Sequence, residues 1–327
     1  MLSAVIFGIA ITLSAAKADE VTVRTGPNTV RRVTGEIVEY NAEVLMVQRT
    51  GRKESFEPIT IESFVTTWPA SYTEGRKKMA SSQWQEAIVD LREAVADESR
   101  LWAQRQIIAD TVRCYAALGE YQKAAATFKV IYRNTPITRH LSVLPIQWWV
   151  DNSNAAELET LKSWLRDIPP LKLAAASRLL TSPLRREAQQ SLQDLVLDTN
   201  PRIAILATCQ LWRDEVVQAT PETVARWEEK LQRLSPDLRT GPAYVVAATL
   251  ARQGDWQDAA ELFLRCPILF GNQHELAAQS LLAAAGSLEK LDRHRQAATL
   301  YREIITRFPK SKCASQSQQL LSNLDPS

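Results

Sequence analysis

The chain has 327 residues, 45% of them hydrophobic and 23% charged, an ordinary globular balance with room for about two domains. That excludes a disordered, collagenous or multi-span membrane protein. Thirty-nine Lys and Arg against 37 Asp and Glu leave a formal charge of +2, too small to mark a nucleic-acid or anionic-lipid surface. Only 10 glycines stand beside 15 prolines, which disfavours the phosphate loops of parallel α/β enzymes and points to helices.

Residues 1–18 are largely apolar and end in Ala16-Lys17-Ala18, an A-x-A cleavage pattern before Asp19. They read as a secretory signal peptide, although no Lys or Arg precedes the apolar run; an uncleaved anchor and a buried helix are the alternatives. The run is short for a membrane span, which takes about 20 apolar residues. The expected protein is therefore exported, periplasmic or in the cell envelope, with no integral membrane segment once the signal is removed. The cysteines, Cys114, Cys209, Cys266 and Cys313, are widely separated and form no C-x-x-C pair. They fit small buried helix residues, and their spacing dictates no disulfide pairing.

Residues 19–68 read as a small β module. Val21 and Val23, the run from Val33 to Tyr40, Val44 to Val47, Phe56, and Ile59, Ile61 and Val65 mark five short strands. Turns fall at Gly26-Pro27-Asn28, Asn41-Ala42 and Thr50-Gly51-Arg52, and Pro58 fits only a strand start or edge. The segment from Thr34 to Asn41, followed by Val44 to Val47, resembles the second and third strands of SH3-like or Sm-like barrels. A five-stranded barrel or bent sheet is expected. Six basic residues face eight acidic ones between Asp19 and Glu62, so the module lacks a footprint for phosphate backbone, and no nucleic acid is expected.

From residue 69 onward, four segments align on short-residue positions. The first has Gly75, Trp84, Ala87, Leu91 and Ala94; the second has Tyr115, Gly119, Tyr121, Ala124, Phe128, Ile131 and Pro136. The third has Leu250, Gly254, Trp256, Ala259, Phe263 and Cys266; the fourth has Ala285, Leu288, His294, Ala297, Tyr301, Ile304 and Pro309. In each, an aromatic or histidine is followed three residues later by alanine and four further on by a large apolar residue, all on one helix face. The alanine suits a close helix crossing, and the proline a helix end. These segments, such as Ala116 to Phe128 and Ala251 to Phe263, resemble tetratricopeptide repeats. The resemblance implies a mainly α fold, a right-handed α-solenoid of helical hairpins, with repeats over 69–136 and 241–327.

Between 137 and 240 no such repeat is visible, but Ser182-Pro183, Asn200-Pro201, Thr220-Pro221 and Ser235-Pro236 each set a capping residue before a proline suited to a first helical position. Divergent, partly HEAT-like hairpins are expected there, or a separate helical domain. The tail from Lys310 to Leu324 has an apolar edge of Ala314, Leu320, Leu321 and Leu324, suited to a capping helix.

No motif for catalysis emerges. His140, His274 and His294 sit in no metal-ligand spacing, and His294 takes the repeat's aromatic position, where packing explains it. Walker, G-x-S-x-G and G-x-G-x-x-G patterns are absent, so no cofactor, metal or enzymatic activity is expected. Trp148-Trp149 is the most conspicuous aromatic pair; on a helix, adjacent residues point about 100° apart, which would leave one exposed.

In the resembling family the first helix of each repeat lines an inner groove. Carried over by alignment, the lining positions are Tyr72 and Arg76, Gln106 and Arg113, Tyr244 and Arg252, and Gln279 and Glu289. Aromatic residues and arginine are frequent binding anchors, so a groove for an extended peptide or a helix is implied. The family's carboxylate clamp uses lysine and asparagine at such places, and neither is present. The resulting expectation is a non-catalytic scaffold holding a protein or peptide partner. Its alternatives are an envelope enzyme or carbohydrate-binding solenoid with a site in the middle segment, and a cytoplasmic scaffold if residues 1–18 are not a signal.

Overall fold

A computed structural model describes residues 18–150, 155–269 and 273–324. The expected signal segment, apart from Ala18, lies outside them. The chain divides into two compact units, one ending at Trp68 and the other beginning at Pro69.

In the first unit, β1 (Asp19–Gly26), β2 (Thr29–Tyr40), β3 (Leu45–Arg49), β4 (Arg52–Phe56) and β5 (Ile61–Val65) form one antiparallel sheet in the order β4-β3-β2-β1-β5. The sheet is open, the bent-sheet form of the two expected. Period-two alternation buries Val21, Val23, Val33, Ile37, Leu45 and Val47. β2 pairs with β1 as far as Gly35 and with β3 beyond it. A Cβ on Gly35 would stand 2.6 Å from the Gln48 carbonyl oxygen, so this crossing requires glycine.

The turns of this unit follow their residues. Asn41 Oδ1 accepts from the amides of Glu43 and Val44 at 2.9 and 3.0 Å, and Gly51 takes the left-handed φ of +71°. Pro58 opens a short 3₁₀ turn ahead of β5. At the buried face, Glu54 accepts from Arg31 and Arg49 at 2.8 and 3.1 Å; the hydrogen bond from Arg49 above all holds its carboxyl below the usual range.

The second unit contains α1 (Ala70–Ala80), α2 (Trp84–Asp97), α3 (Leu101–Ala117), α4 (Tyr121–Asn134), α5 (Ala155–Trp164), α6 (Pro169–Leu179) and α7 (Arg185–Val196). After them come α8 (Pro201–Glu215), α9 (Pro221–Arg233), α10 (Thr240–Gln253), α11 (Trp256–Leu269), α12 (His274–Glu289), α13 (His294–Arg307) and α14 (Lys312–Leu324). Most neighbours in sequence pack on one another, and α6, α8, α10 and α12 also touch in succession, as a solenoid of stacked hairpins requires.

The aligned segments share one turn. Trp84, Tyr121, Trp256 and His294 are the first residues of α2, α4, α11 and α13. Two positions before each stands a left-handed residue: Ser82 (φ 57°), Gly119 (73°), Gly254 (95°) and Asp292 (57°). The next residue's amide bonds back to the preceding helix in every case, Gln83 to Lys78 O (2.9 Å), Glu120 to Tyr115 O (2.9 Å), Asp255 to Leu250 O (3.0 Å) and Arg293 to Leu288 O (3.0 Å). This is a Schellman closure, repeated four times. The alanines three residues into the second helices, Ala87, Ala124, Ala259 and Ala297, are fully buried, and so are Leu91 and Phe128. Gly75 faces Leu91, whose Cδ2 would lie 3.1 Å from an added Cβ, so the first hairpin crosses closely here. His294 departs from the expected packing: its side chain is 56% exposed, because the imidazole lies out beside Asp292 instead of over the core.

In the middle of the unit, the capping signals divide. Asn200 accepts from the Arg202 amide and Thr220 from that of Thr223, each heading a helix that starts on proline. Ser235-Pro236 opens only a 3₁₀ turn, and Ser182-Pro183 makes a turn before α7. Trp212 and Trp227 stack at 5.1 Å, joining α8 to α9. α14 seats Cys313, Ala314 and Ser317 against the last hairpin. All four cysteines are buried, and burial pushes the Cys114 thiol up to about 12 and Cys266 to about 11. Among the described residues, no helix is long and apolar enough to cross a membrane.

Candidate functional site

The segment from 135 to 150, between α4 and α5, is largely irregular, and its residues Thr138, His140, Leu141, Val143, Leu144, Gln147 and Trp148 are buried. Sequence reasoning places helical hairpins here. Instead Pro136 and Pro145 interrupt helical hydrogen bonding, and the chain runs as a strap against α3, α6, α8 and α10. Leu141, Val143, Leu144 and Trp148 are at most 6% exposed.

Side chains replace the strap's missing secondary-structure bonds. The Gln147 amide donates to Ser177 Oγ at 3.0 Å, and its carbonyl accepts from Gln210 Nε2 at 3.1 Å and Arg213 Nη1 at 2.9 Å. Arg213 also donates to the carbonyls of Ser177 (2.6 Å) and Trp149 (3.0 Å) and to Gln210 Oε1 (2.8 Å). Asn200 Nδ2 donates to Pro136 O at 2.9 Å. Burial brings the Arg213 pKa down to about 10, so the group stays charged at neutral pH.

Trp148 is buried and Trp149 half-buried, so the pair does divide between core and surface, but from an irregular backbone. The Trp148 indole lies so close to Gly241 in α10 that an added Cβ would stand 1.9 Å from Cε2. Beside it a pocket of about 100 Å³ is lined by the strap, by Asp237 and Leu238 of the 3₁₀ turn ahead of α10, and by residues of α3, α4, α6, α8, α10 and α12, among them Arg113, Arg178, Thr240 and Glu275. Arg178 covers the Tyr121 ring at 4.0 Å and pairs with Glu157 at 3.2 Å.

Of the residues assigned to the groove by alignment, four gather near α1 and α3. Tyr72 is buried and donates to Asp110 Oδ2 at 2.7 Å. Arg76 lies 3.6 Å from the same carboxylate, and Arg113 bonds its other oxygen. Gln106 accepts from Arg139 of the strap at 2.7 Å. The remaining four are dispersed. Tyr244 packs edge-on to Phe263 at 5.2 Å, Arg252 is exposed, Gln279 donates to Glu275 at 3.4 Å, and Glu289 accepts from the Tyr301 hydroxyl at 2.7 Å. Sequence reasoning missed Asp110, which joins Tyr72, Arg76 and Arg113, and Arg213; an acid or arginine on an amphipathic helix carries no mark of its distant partners.

The first and last hairpins touch. Trp84 meets His274 edge-on with ring centroids 4.5 Å apart, and His274 meets Phe308 at 5.7 Å. Burial, then the charge of Arg307, lowers the His274 pKa to about 4. His140, buried in the strap, is held well below its ordinary value by burial and by Arg139, Arg113, Arg105 and Arg202. Both rings fold neutral and prefer to take up a proton when unfolded. Their contribution to stability is complete above a pH of about 6.5 and is lost as the pH falls through about 4 for His274. Urea midpoints measured between pH 7 and 4.5 are expected to fall steadily, and His274→Gln, unable to gain a proton, to flatten the decline.

No curated protein matches the chain. Residues 279–311, which run from within α12 through α13, match the tetratricopeptide-repeat family. One tetratricopeptide repeat thus stands in a helical solenoid, and repeats of this kind build protein-interaction scaffolds.

Proposed function

We propose that this protein is a non-catalytic scaffold, exported to the envelope of a bacterial cell, that binds a partner protein or peptide through its helical repeats. The observation that carries this reading is the matched repeat at 279–311, supported by the identical turn at the heads of α2, α4, α11 and α13. Arg76 and Arg252, exposed members of the aligned groove positions, are the anchors we assign to the partner, with Gln106, Arg113, Tyr244 and Gln279 as flanking contacts. Tyr72 and Glu289 serve within the fold, through Asp110 and Tyr301.

An enzyme or carbohydrate-binding solenoid draws on Asp237 and Glu275, which line one pocket with Trp148. Asp237, however, is engaged by Arg202, and Gly241 covers part of the Trp148 indole. The scaffold is the better account.

Cross-linked affinity purification from the source cells, comparing the natural chain with Arg76→Glu/Arg252→Glu, tests it. A partner captured by the natural chain and depleted at least tenfold by the variant is expected. Equal recovery would contradict the assigned anchors, and a mature N-terminus other than Asp19 in the purified protein would contradict cleavage after Ala18.

A further inference from the structure

The small formal charge of the chain conceals an uneven distribution. From Lys290 to the C-terminus seven basic residues, Lys290, Arg293, Arg295, Arg302, Arg307, Lys310 and Lys312, stand against three acidic ones, Asp292, Glu303 and Asp325. This stretch therefore carries +4, twice the total, and the rest of the chain sums to −2. All seven basic residues are exposed.

α13 arranges this charge as a ridge. Its apolar side, Ala297, Ala298, Tyr301 and Ile304, is buried, and the helix packs on α12 and α14. Helical periodicity sets Arg295, Thr299, Arg302 and Thr306 in one exposed stripe away from that side. The sole acid in the α13 sequence, Glu303, is engaged by Arg307. Lys310 and Lys312 continue the positive charge into α14, which adds no charged residue after Lys312 and presents Ser315, Gln316, Gln318 and Gln319 to solvent.

A solvated face ordinarily mixes both signs, whereas a face of one sign draws a partner of the other. The chemistry of the ridge narrows that partner. Tyr301 and Phe308 are buried, and no large apolar side chain between 290 and 324 is exposed. The face thus has neither the apolar side chains that enter a bilayer interface nor the aromatic platforms on which nucleic-acid bases stack. Its guanidinium, hydroxyl and amide groups instead match the carboxylates and carbonyls of an acidic peptide. The 14 residues of α13 make a ridge about 21 Å long, the reach of about six extended residues.

We propose that the exposed face of α13, with the turns at its two ends, docks an acidic segment of a partner protein, whose carboxylates meet Arg295 and Arg302. This is a second contact surface, beyond the groove anchors Arg76 and Arg252, and it rests on the scaffold reading only in taking the partner to be a protein.

Fluorescence anisotropy of the full chain with labelled hexaglutamate, hexaglutamine and hexalysine tests the proposal. Hexaglutamate is expected to bind saturably and to weaken about tenfold between about 50 and about 300 mM salt, as screening of exposed charges requires. The other two peptides should not saturate. Arg295→Glu/Arg302→Glu is expected to weaken hexaglutamate about tenfold, two exposed attractions having become repulsions. Arg226→Glu/Lys230→Glu, at exposed positions of α9, changes the formal charge equally and is expected to weaken it no more than about twofold. Arg295→Gln/Arg302→Gln should lie between the two, and it carries the test if thermal melts show the reversal variant unfolded. Absence of saturable hexaglutamate binding, equal binding of hexaglutamine, or equal loss in the α13 and α9 variants overturns the proposal. So does tighter binding of phosphatidylglycerol vesicles or of a single-stranded oligonucleotide. Arg76 and Arg252 are unchanged throughout, so the result is independent of the groove anchors.

Discussion

Replacing Arg213 by methionine is expected to destabilise the helical unit by about 3–5 kcal/mol, the range for stranding a buried, fully bonded polar network. The guanidinium donates to three main-chain carbonyls, those of Gln147, Ser177 and Trp149, and to the Gln210 side chain. Methionine keeps the apolar stem but takes a donor from each of those carbonyls; that of Gln147 retains one from Gln210 at 3.1 Å, and that of Trp149 one from the Gln147 side chain at 3.2 Å. Lysine retains the charge but cannot span acceptors arranged for a planar fork, so Arg213→Lys should fall between. Urea and thermal unfolding measure the effect, and a fall in midpoint of about 10 °C is expected for a unit of this size. A loss below about 1 kcal/mol would mean that the strap is held by other means.

The second large effect lies at the contact between Trp148 and Gly241. An alanine at 241 would put its Cβ 1.9 Å from Trp148 Cε2, and 2.1 Å from Nε1, distances that force indole or helix to move. Gly241→Ala is expected to cost about 3 kcal/mol, despite the better helix propensity of alanine. Trp148→Ala empties a buried site and is expected to cost about 3–5 kcal/mol alone. Because the emptied site accommodates the new methyl group, the double variant should be more stable than the sum of the two by at least about 1 kcal/mol. A double-mutant cycle in urea measures this coupling, and strict additivity would contradict the contact.

The hairpins are legible in the sequence because their determinants are local. A turn residue, an aromatic or histidine, an alanine and a large apolar residue lie within one short stretch, and α2, α4, α11 and α13 begin at the aligned residues. Even there, Ser82 and Asp292 take left-handed backbone where glycine would be the plainer signal. The strap is not legible, for its partners are distant: Gln147 meets Ser177 30 residues on, and Arg213 66 residues on. Its prolines say only that a regular helix is interrupted. The groove positions show the same limit. Alignment places Tyr72 and Arg76 one helical turn apart, but the Asp110 carboxylate that draws the tyrosine inward comes from α3.

That the helical unit is organised around an internal, side-chain-anchored strap is most directly tested by amide hydrogen exchange over residues 138–148. The amides of His140, Val143, Leu144 and Gln147 all donate within the protein. They are expected to exchange as slowly as the interior of α8 and to be released in Arg213→Met. Exchange in the natural chain at the rate of an exposed loop would contradict the strap and the role given to Arg213.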